Sequence, residues 1–568
     1  MLSLDFNNKS NTTMRRVLCL TLLLPLLTVC SDTSNTDNPT AEATASLPFV
    51  SYQSEPQPRG GQCNDTVDVA APIIVNGFGF NLSNTRNTAS LIDSTNVDTL
   101  RLNYHYAPAA ATEKRGAPAV TAQVIYLTSG RELVALNRLS GCQYWSFTTP
   151  DNGSNFRSGS ILLAEGNETS PAVIYAADFN GQVYAIDAAT GAPLWQTFVG
   201  TISFLHFVTG GMQYHAGKLF VPVSSKEVLA TVAIPGACCR SHGMLVALAA
   251  DTGALLWQYH TTGEAQETVL PGERIGPNGA PVWTTPTLDI TRNAIYIGTG
   301  QNYTEPATMT SDAIISLDMD SGDVNWIFQA RENDTWNGNC STAGSLRCPV
   351  PPGHDFDFGA APILLDDGDT LIAGDKGGVV YSIQAATGAL NWSNKVSEGS
   401  TLGGIHWGMA VDQQRVYVAA TDFSIDKASG GLADLIPGAR PGIYALDLAT
   451  GAIDWEIHPT HMFKGLQTPS LFSASLSISN DLLFAGSLDG VVRAFDTRDG
   501  AQKWSMDTAV TFTDINGVVG NGGTIDSVGV VVAGDGLLIN SGYSTFQGVN
   551  GRYQAGAGNA LFVLELPR

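Results

Sequence analysis

The chain has 568 residues, 60 of them glycine, with 14% charged residues and a formal net charge of −23. A typical soluble domain carries about 25% charged residues, so the composition argues against long amphipathic helices, and many short apolar runs punctuated by glycine point to an all-β protein. The acidity argues against nucleic acid as a partner, because no Lys/Arg cluster beyond "MRR" offsets it.

The first element is an export signal. Arg15 and Arg16 precede an apolar run from Val17 to Val29, which ends at Cys30. The run is too short to span a bilayer but suits a signal h-region. Met14 is a candidate start, since the preceding residues are polar. Leu27-Thr28-Val29-Cys30 resembles a bacterial lipoprotein box, although Val29 departs from the usual small residue, so Cys30 is a candidate lipid anchor. Residues 1–30 are expected to be the signal and residues 31–62, polar and low in apolar content, a disordered linker. The propeller domain described below is expected over 63–568, in the periplasm, outside the cell or tethered to the outer membrane. No later segment has 18 uninterrupted apolar residues, so this body is expected to be soluble.

Beyond Cys19 and Cys30 the cysteines are 63, 142, 238, 239, 340 and 348. An even number in an exported chain favours disulfides. Cys340 and Cys348 enclose a short polar loop and are expected to pair; Cys63 with Cys142 is open, and Cys238 and Cys239 are adjacent. There is no C-x-x-C-H for haem and no clustered His/Cys pattern for zinc.

The main signal is a repeat: an apolar run, a polar turn ending in Gly, and Trp four residues after that Gly. It occurs as "LVALNRLSGCQYW", "VYAIDAATGAPLW", "LVALAADTGALLW", "IISLDMDSGDVNW", "VYSIQAATGALNW", "IYALDLATGAIDW" and "VRAFDTRDGAQKW", ending at Trp145, Trp195, Trp257, Trp326, Trp392, Trp455 and Trp504. The turn needs a residue at positive φ, which glycine supplies. The Trp is expected to pack between neighbouring sheets. One four-stranded blade cannot bury both faces, but a closed ring can. "TLRLNYHYA" and the C-terminal "ALFVLEL" are strands without the repeat, and pairing them would close the ring as an eighth blade. The expected fold is an eight-bladed β-propeller of roughly 63 residues per blade, against about 40–45 for WD40 repeats.

Three Trp lie outside the repeat: Trp283, Trp336 and Trp407. Each either packs a long loop or stacks a flat ligand near the axis. In "GHDFDFG" (Gly353 to Gly359), just before the run "AAPILL", a two-residue period puts Asp355 and Asp357 on one face and Phe356 and Phe358 on the other. Either both acids are solvent-facing or one is a base. Glu227 and Lys376, taken alone, read as an exposed strand-end acid and a solvated turn residue. His406 is equally consistent with a core histidine.

"GAPVWTTPTLD", "AIYIGTGQNYTEPAT", "HDFDFGAAPIL", "AGDKGGVVYSIQAATG" and "LGGIHWGMA" together resemble the pyrroloquinoline quinone (PQQ) dehydrogenases, above all the polyvinyl-alcohol dehydrogenase type. The resemblance runs from near Asn76 to the end. It implies an eight-bladed propeller with PQQ near the axis and a Ca²⁺ ion beside it, an Asp that takes the alcohol proton, and hydride transfer to the quinone. By position, Trp283 matches the indole under the cofactor, Asp357 the catalytic base and a metal ligand, and Lys376 the cation at the reactive carbonyl, an oxyanion-type role. Glu227 matches the metal-binding Glu, and Thr209 and Ser225 match hydroxyls at the cofactor carboxylates; Trp407 is counted with the cofactor contacts. The second amide ligand falls on Gln301 or Asn302, either of which offers Ca²⁺ a carbonyl oxygen. Gly359 stands where lanthanide-using relatives have another Asp, which favours Ca²⁺. The relatives' adjacent cysteines imply that Cys238 and Cys239 form a vicinal disulfide lining the site, with Arg240 beside it.

The expected function is oxidation of a secondary or polymeric alcohol to a ketone, with electrons passed to an external acceptor such as a cytochrome c. The reading from another class is a non-catalytic propeller lipoprotein that binds proteins, of the outer-membrane assembly type. A third is a decayed enzyme that binds ligand without turnover.

Overall fold

The computed structural model describes residues 60–108, 116–150, 153–166, 171–202, 204–230, 237–270, 273–342, 344–424, 434–463, 465–543, 553 and 555–567. The leader, the Cys30 box and most of the polar stretch after it lie outside the described residues. Among the described residues no helix is long and apolar enough to cross a membrane.

Eight antiparallel sheets make the ring. In blades 2 to 7 the strands run outward in chain order. Blade 2, for example, comprises Leu162–Ala164, Val173–Ala177, Gln182–Asp187 and Pro193–Phe198. Blade 1 carries an extra strand, Ile73–Val75, on its inner edge. Blade 8 takes Val530–Ala533, Gly536–Ser541 and Ala560–Glu565 from the C-terminal end and its outermost strand, Arg101–Tyr106, from near the start. Arg101 pairs with Glu565 and Tyr106 with Leu561, so the two leftover strands close the ring as expected.

The repeat forms this fold because its Trp and Gly meet across blades. The Trp145 indole N–H donates to the Ala188 carbonyl of the next blade at 3.1 Å. Five further copies do the same, from Trp195 to Ala250, Trp257 to Met319, Trp326 to Ala385, Trp392 to Leu448 and Trp455 to Thr497. Trp504 faces the mixed blade, where the repeat is broken, and its indole N–H has no acceptor among the described residues. Gly191 in the blade 2 turn has φ of 74°, and a Cβ there would stand 2.6 Å from the Trp145 ring. One glycine thus serves both the turn and the inter-blade contact, which is why the two residues recur at fixed spacing. Replacing such a packed Trp by Ala would cost about 3–5 kcal/mol.

The segment around Phe78–Asn87 is a plug that bonds several blades together. Arg86 is fully buried and donates to the carbonyls of Phe78, Leu476 and Val528 and to the Ser477 hydroxyl. Asn84 reaches Pro286 and Thr287 of blade 4, and Asn87 reaches Val411 of blade 6. Phe78 then packs in one cluster with Trp283 and Trp407, so the plug supports the floor of the site from below. Two disulfides lie outside this region. Cys340–Cys348 closes its short loop as expected, and Cys63–Cys142 ties the start of the described chain to the outer turn of blade 1. Its sequence separation of 79 residues corresponds to about 4 kcal/mol of chain-entropy stabilisation. Gln62 already bridges to Gln143, so the end of the expected linker is held to the ring.

Candidate active site

Six successive blades each bring one buried residue to the axis, four places ahead of the first residue of the innermost strand. These are Thr209, Trp283, Gly359, His406, Ser473 and Asp526, ahead of strands beginning at Gln213, Thr287, Ile363, Ala410, Ser477 and Val530. Thr209, Trp283, His406 and Asp526 line one cavity of about 160 Å³, together with Asp355, Asp357, Lys376 and Trp407. Gly359 is required to be small: a Cβ there would stand 2.5 Å from the Trp283 ring.

Asp357 is held at three points. The Trp283 indole N–H donates to its Oδ2 at 3.1 Å, the Gln301 backbone N–H to its Oδ1 at 3.3 Å, and Lys376 Nζ lies 3.4 Å from Oδ2. A Cβ on Gly300 would strike that carboxylate, so glycine leaves room for it. Lys376 also lies 2.7 Å from Asp355 Oδ1, and its own N–H donates to the Asp357 carbonyl at 2.9 Å. Both acids of "GHDFDFG" thus face one lysine, as a common face requires. Asp355 is the supporting one: its side chain is partly buried, 11% exposed, and burial, countered by Lys376 and reinforced by Asp357, pushes it up to about 7. Burial opposes the charge on Lys376, but Asp355 and Asp357 outweigh it and hold its pKa above the ordinary lysine value. The two rings do not wall the cavity. Phe356 stacks on His354 at 4.7 Å, and Phe358 packs on Tyr381 at 5.6 Å. Only Ile363–Leu364 of the expected strand is regular.

The metal-type ligands divide. Gln301 is fully buried, its Nε2 donates to Asp355 Oδ1 at 3.3 Å, and its Oε1 has no partner among the described residues. Asn302 is committed elsewhere: its amide donates to Asn278 at 2.6 Å and accepts from the Thr308 backbone N–H at 2.7 Å. As placed, Gln301 and not Asn302 offers an oxygen, which corrects the expectation for Asn302. Glu227 is 2% exposed, and its Oε2 accepts the Arg240 and Ser241 backbone N–H groups at 2.8 and 2.6 Å. Tyr303 senses all of this: its phenol is pushed well up by burial, with Asp357, Glu227 and Asp355 adding to the shift. The Glu227 and Asp357 carboxylates and the Gln301 amide are all oxygen donors, the ligand type that Ca²⁺ accepts and that differs from the Cys and His ligands usual for zinc.

Three cofactor contacts expected from position lie elsewhere. The Ser225 hydroxyl bonds Ser241 and accepts the Glu227 N–H at 3.1 Å, so it orients Glu227; the neighbouring Ser224 lines the cavity instead. Arg240 is exposed, and its backbone, not its side chain, reaches Glu227. Cys238 and Cys239 form the vicinal disulfide, but it packs against Tyr303 and Val228, one layer behind the cavity lining. The loop gives its Arg240 and Ser241 backbone N–H groups to Glu227. Trp336 is a packing residue: its backbone bonds Gln301 and Asn302 and its ring is buried off the cavity. The sequence reading missed Arg157, Ser473, Asp526 and Tyr543. The register of the innermost strands was the signal for Ser473 and Asp526.

The fold is an eight-bladed β-propeller whose axial cavity is lined by carboxylates, a lysine and tryptophans. The family model described as "Glucose/ethanol/alcohol dehydrogenase, beta-propeller domain" matches residues 81–349, and that described as "Outer membrane protein assembly factor BamB" matches 376–542. The chain is 32% identical over 503 residues to a polyvinylalcohol dehydrogenase of Sphingopyxis sp. (strain 113P3), covering 85% of this chain and 75% of that protein. It is 33% identical over 499 residues to a polyvinylalcohol dehydrogenase of Pseudomonas sp., covering 84% and 74%. Among solved structures, a quinohemoprotein alcohol dehydrogenase from Pseudomonas putida superposes with a TM-score of 0.62 at 17% identity, covering 88% of this chain and 82% of that one. A europium-containing methanol dehydrogenase gives 0.62 at 18%, covering 87% and 98%. The chain belongs to the PQQ-dependent alcohol dehydrogenase family, with polyvinyl-alcohol dehydrogenases among its relatives, and is on that ground a quinoprotein oxidoreductase.

Proposed function

We propose that the chain is an exported dehydrogenase that uses PQQ and Ca²⁺ to oxidise a secondary or polymeric alcohol to a ketone, and passes the electrons to an external acceptor such as a cytochrome c. The observation that carries this reading is Asp357, held in the cavity by Trp283, Gln301 and Lys376. Three donors fix the orientation of this carboxylate, the type of group that can take a hydroxyl proton. Trp283, supported from beneath by Phe78, offers a flat floor, and Thr209 and Trp407 offer flanking contacts. Lys376 is a fixed cation for charge developing on a carbonyl oxygen. Glu227, Gln301 and Asp357 would hold Ca²⁺. When bound, the quinone supplies the hydride acceptor and the metal polarises it. The Arg15-Arg16 leader supports export to the periplasm or beyond, with 1–30 as leader, 31–62 as tether, the propeller following from 63, and Cys30 as a lipid anchor.

The test is reconstitution of the apo chain with PQQ and Ca²⁺, followed by dye reduction with secondary alcohols and polyvinyl alcohol. Turnover should need both additions, and Asp357→Asn should abolish it while sparing quinone binding, read by tryptophan fluorescence. A chain that binds no quinone would overturn the reading and return the non-catalytic scaffold. Binding without turnover on any alcohol would mark a decayed enzyme.

A further inference from the structure

Three of the axial positions, on consecutive blades, form a chain separate from the Asp357 cluster. His406, Ser473 and Asp526 come from blades 6, 7 and 8 and are 9%, 3% and 8% exposed. His406 Nδ1 lies 2.7 Å from Ser473 Oγ, and that hydroxyl donates to Asp526 Oδ1 at 2.7 Å. Asp526 Oδ1 also accepts the Ser527 N–H at 2.7 Å. A serine hydroxyl has one hydrogen, and here it goes to the carboxylate, so Oγ accepts from the imidazole. The donors therefore run from His406 Nδ1–H through Ser473 to Asp526, and the neutral ring carries its lone pair on Nε2.

His406 and Asp526 share the cavity wall with Asp355, Asp357, Lys376, Arg157 and Tyr543. Asp526, acting through Ser473, favours the imidazolium, as do the other carboxylates, while Lys376 and Arg157 oppose it. The ring also packs edge-on to Trp283, with centroids 5.8 Å apart. The chain thus sets a second proton-binding group beside the same floor as Asp357.

The proposed reaction needs one. Oxidising a secondary alcohol to a ketone breaks the O–H and C–H bonds and removes two electrons and two protons. The hydroxyl proton goes to Asp357. The carbinol hydrogen leaves with its electron pair as hydride, and its proton is set free when those two electrons pass to one-electron acceptors. A carboxylate holds one proton at a time, so while Asp357 keeps the first, the second needs another acceptor. Resting on the function proposed above, we propose that His406 Nε2 accepts this second proton. Ser473 and Asp526 are positioning residues that fix its tautomer and stabilise its charged form.

The tautomer is read in the apo chain from ¹⁵N shifts of labelled histidine, with His406→Gln assigning the signal. The expected result is Nδ1–H, with the His406 titration midpoint lowered by about one pH unit or more in Ser473→Ala and Asp526→Asn, and recovered in Asp526→Glu. In the reconstituted enzyme, single-turnover kinetics separate the alcohol-driven step from the acceptor-driven step. Asp526→Asn should slow the acceptor-driven step at least tenfold more than the alcohol-driven one. An Nε2–H tautomer, an unmoved midpoint, or equal slowing of both steps overturns the proposal. If the wild-type chain oxidises no alcohol, the proton role falls with the proposed function, and the apo-chain spectra still report whether Asp526 positions His406.

Discussion

Replacing Lys376 by Met removes the charge between two buried carboxylates and keeps most of the side-chain volume. The lysine is 5% exposed and lies 2.7 Å from Asp355 and 3.4 Å from Asp357. Deleting one partner of a buried ion pair costs about 3–5 kcal/mol. The protein can recover part of this by protonating Asp355, which burial already pushes up to about 7. Without the lysine that value rises further. A folded-state value above the unfolded one means that the native state binds more protons over the interval between them. Stability contributed by that proton is present below the unfolded value and is lost as pH rises through the folded one, at about 1.4 kcal/mol per pH unit. The penalty should therefore be smaller near pH 5 than near pH 9, by about 3 kcal/mol over the two pH units above the Asp355 value. For a body of roughly 500 residues the unfolding entropy is about 1 kcal/mol/K, so the full penalty lowers Tm by about 3–5 °C. The assay is thermal unfolding of the apo chain in chelator, followed by tryptophan fluorescence from pH 5 to 9. A loss equal at both ends of the range would refute the reasoning. So would failure of Asp355→Asn, added to Lys376→Met, to restore at least half of the loss at pH 9.

Gln301→Ala should weaken Ca²⁺ binding to the apo chain by about tenfold or more in calorimetric titration, because its amide oxygen has no other partner. Asn302→Ala should instead lower stability by about 1–3 kcal/mol through loss of its bonds to Asn278 and Thr308, read from denaturant unfolding. Gly359→Ala should displace the Trp283 ring, costing about 1–3 kcal/mol and weakening quinone binding measured by fluorescence, since its Cβ would stand 2.5 Å from that ring. Acid should destabilise the fold between about pH 6.5 and 4, because burial lowers His105 and His242 to about 4. A lowered histidine gives stability that is fully present above the unfolded value and is lost as pH falls, by roughly 2–3 kcal/mol for His242, and His242→Gln should flatten that limb of the unfolding curve.

The ring was legible in the sequence because its parts are short and repeated. Each Trp and each turn glycine sits at a fixed spacing, and both are needed locally by a strand, a turn and one neighbour. The two unmatched strands had a single use, and Arg101–Tyr106 does pair with Ala560–Glu565. Trp283, Asp357 and Lys376 were legible as a site only through the family resemblance, because each taken alone also reads as packing, a strand-start acid or a solvated turn residue. The sequence alone also determined that Gly359 bears no acid.

The tertiary structure decided which neighbours these residues meet. Asp355 and Asp357 are two residues apart and look equivalent; they differ because Trp283, from another blade, donates to Asp357 alone, while Gln301 gives its backbone N–H to Asp357 and its side-chain amide to Asp355. Gln301 and Asn302 are adjacent, and only the loop around Thr308, folded back on Asn302, separates their roles. The Ser225 hydroxyl and the Arg240 backbone meet Glu227 because a loop's path, not its composition, sets which atoms it turns inward. His406, Ser473 and Asp526 are dozens of residues apart in sequence. They become one hydrogen-bonded chain because a closed ring brings the same register position of successive blades side by side at its axis, and no local pattern carries that proximity.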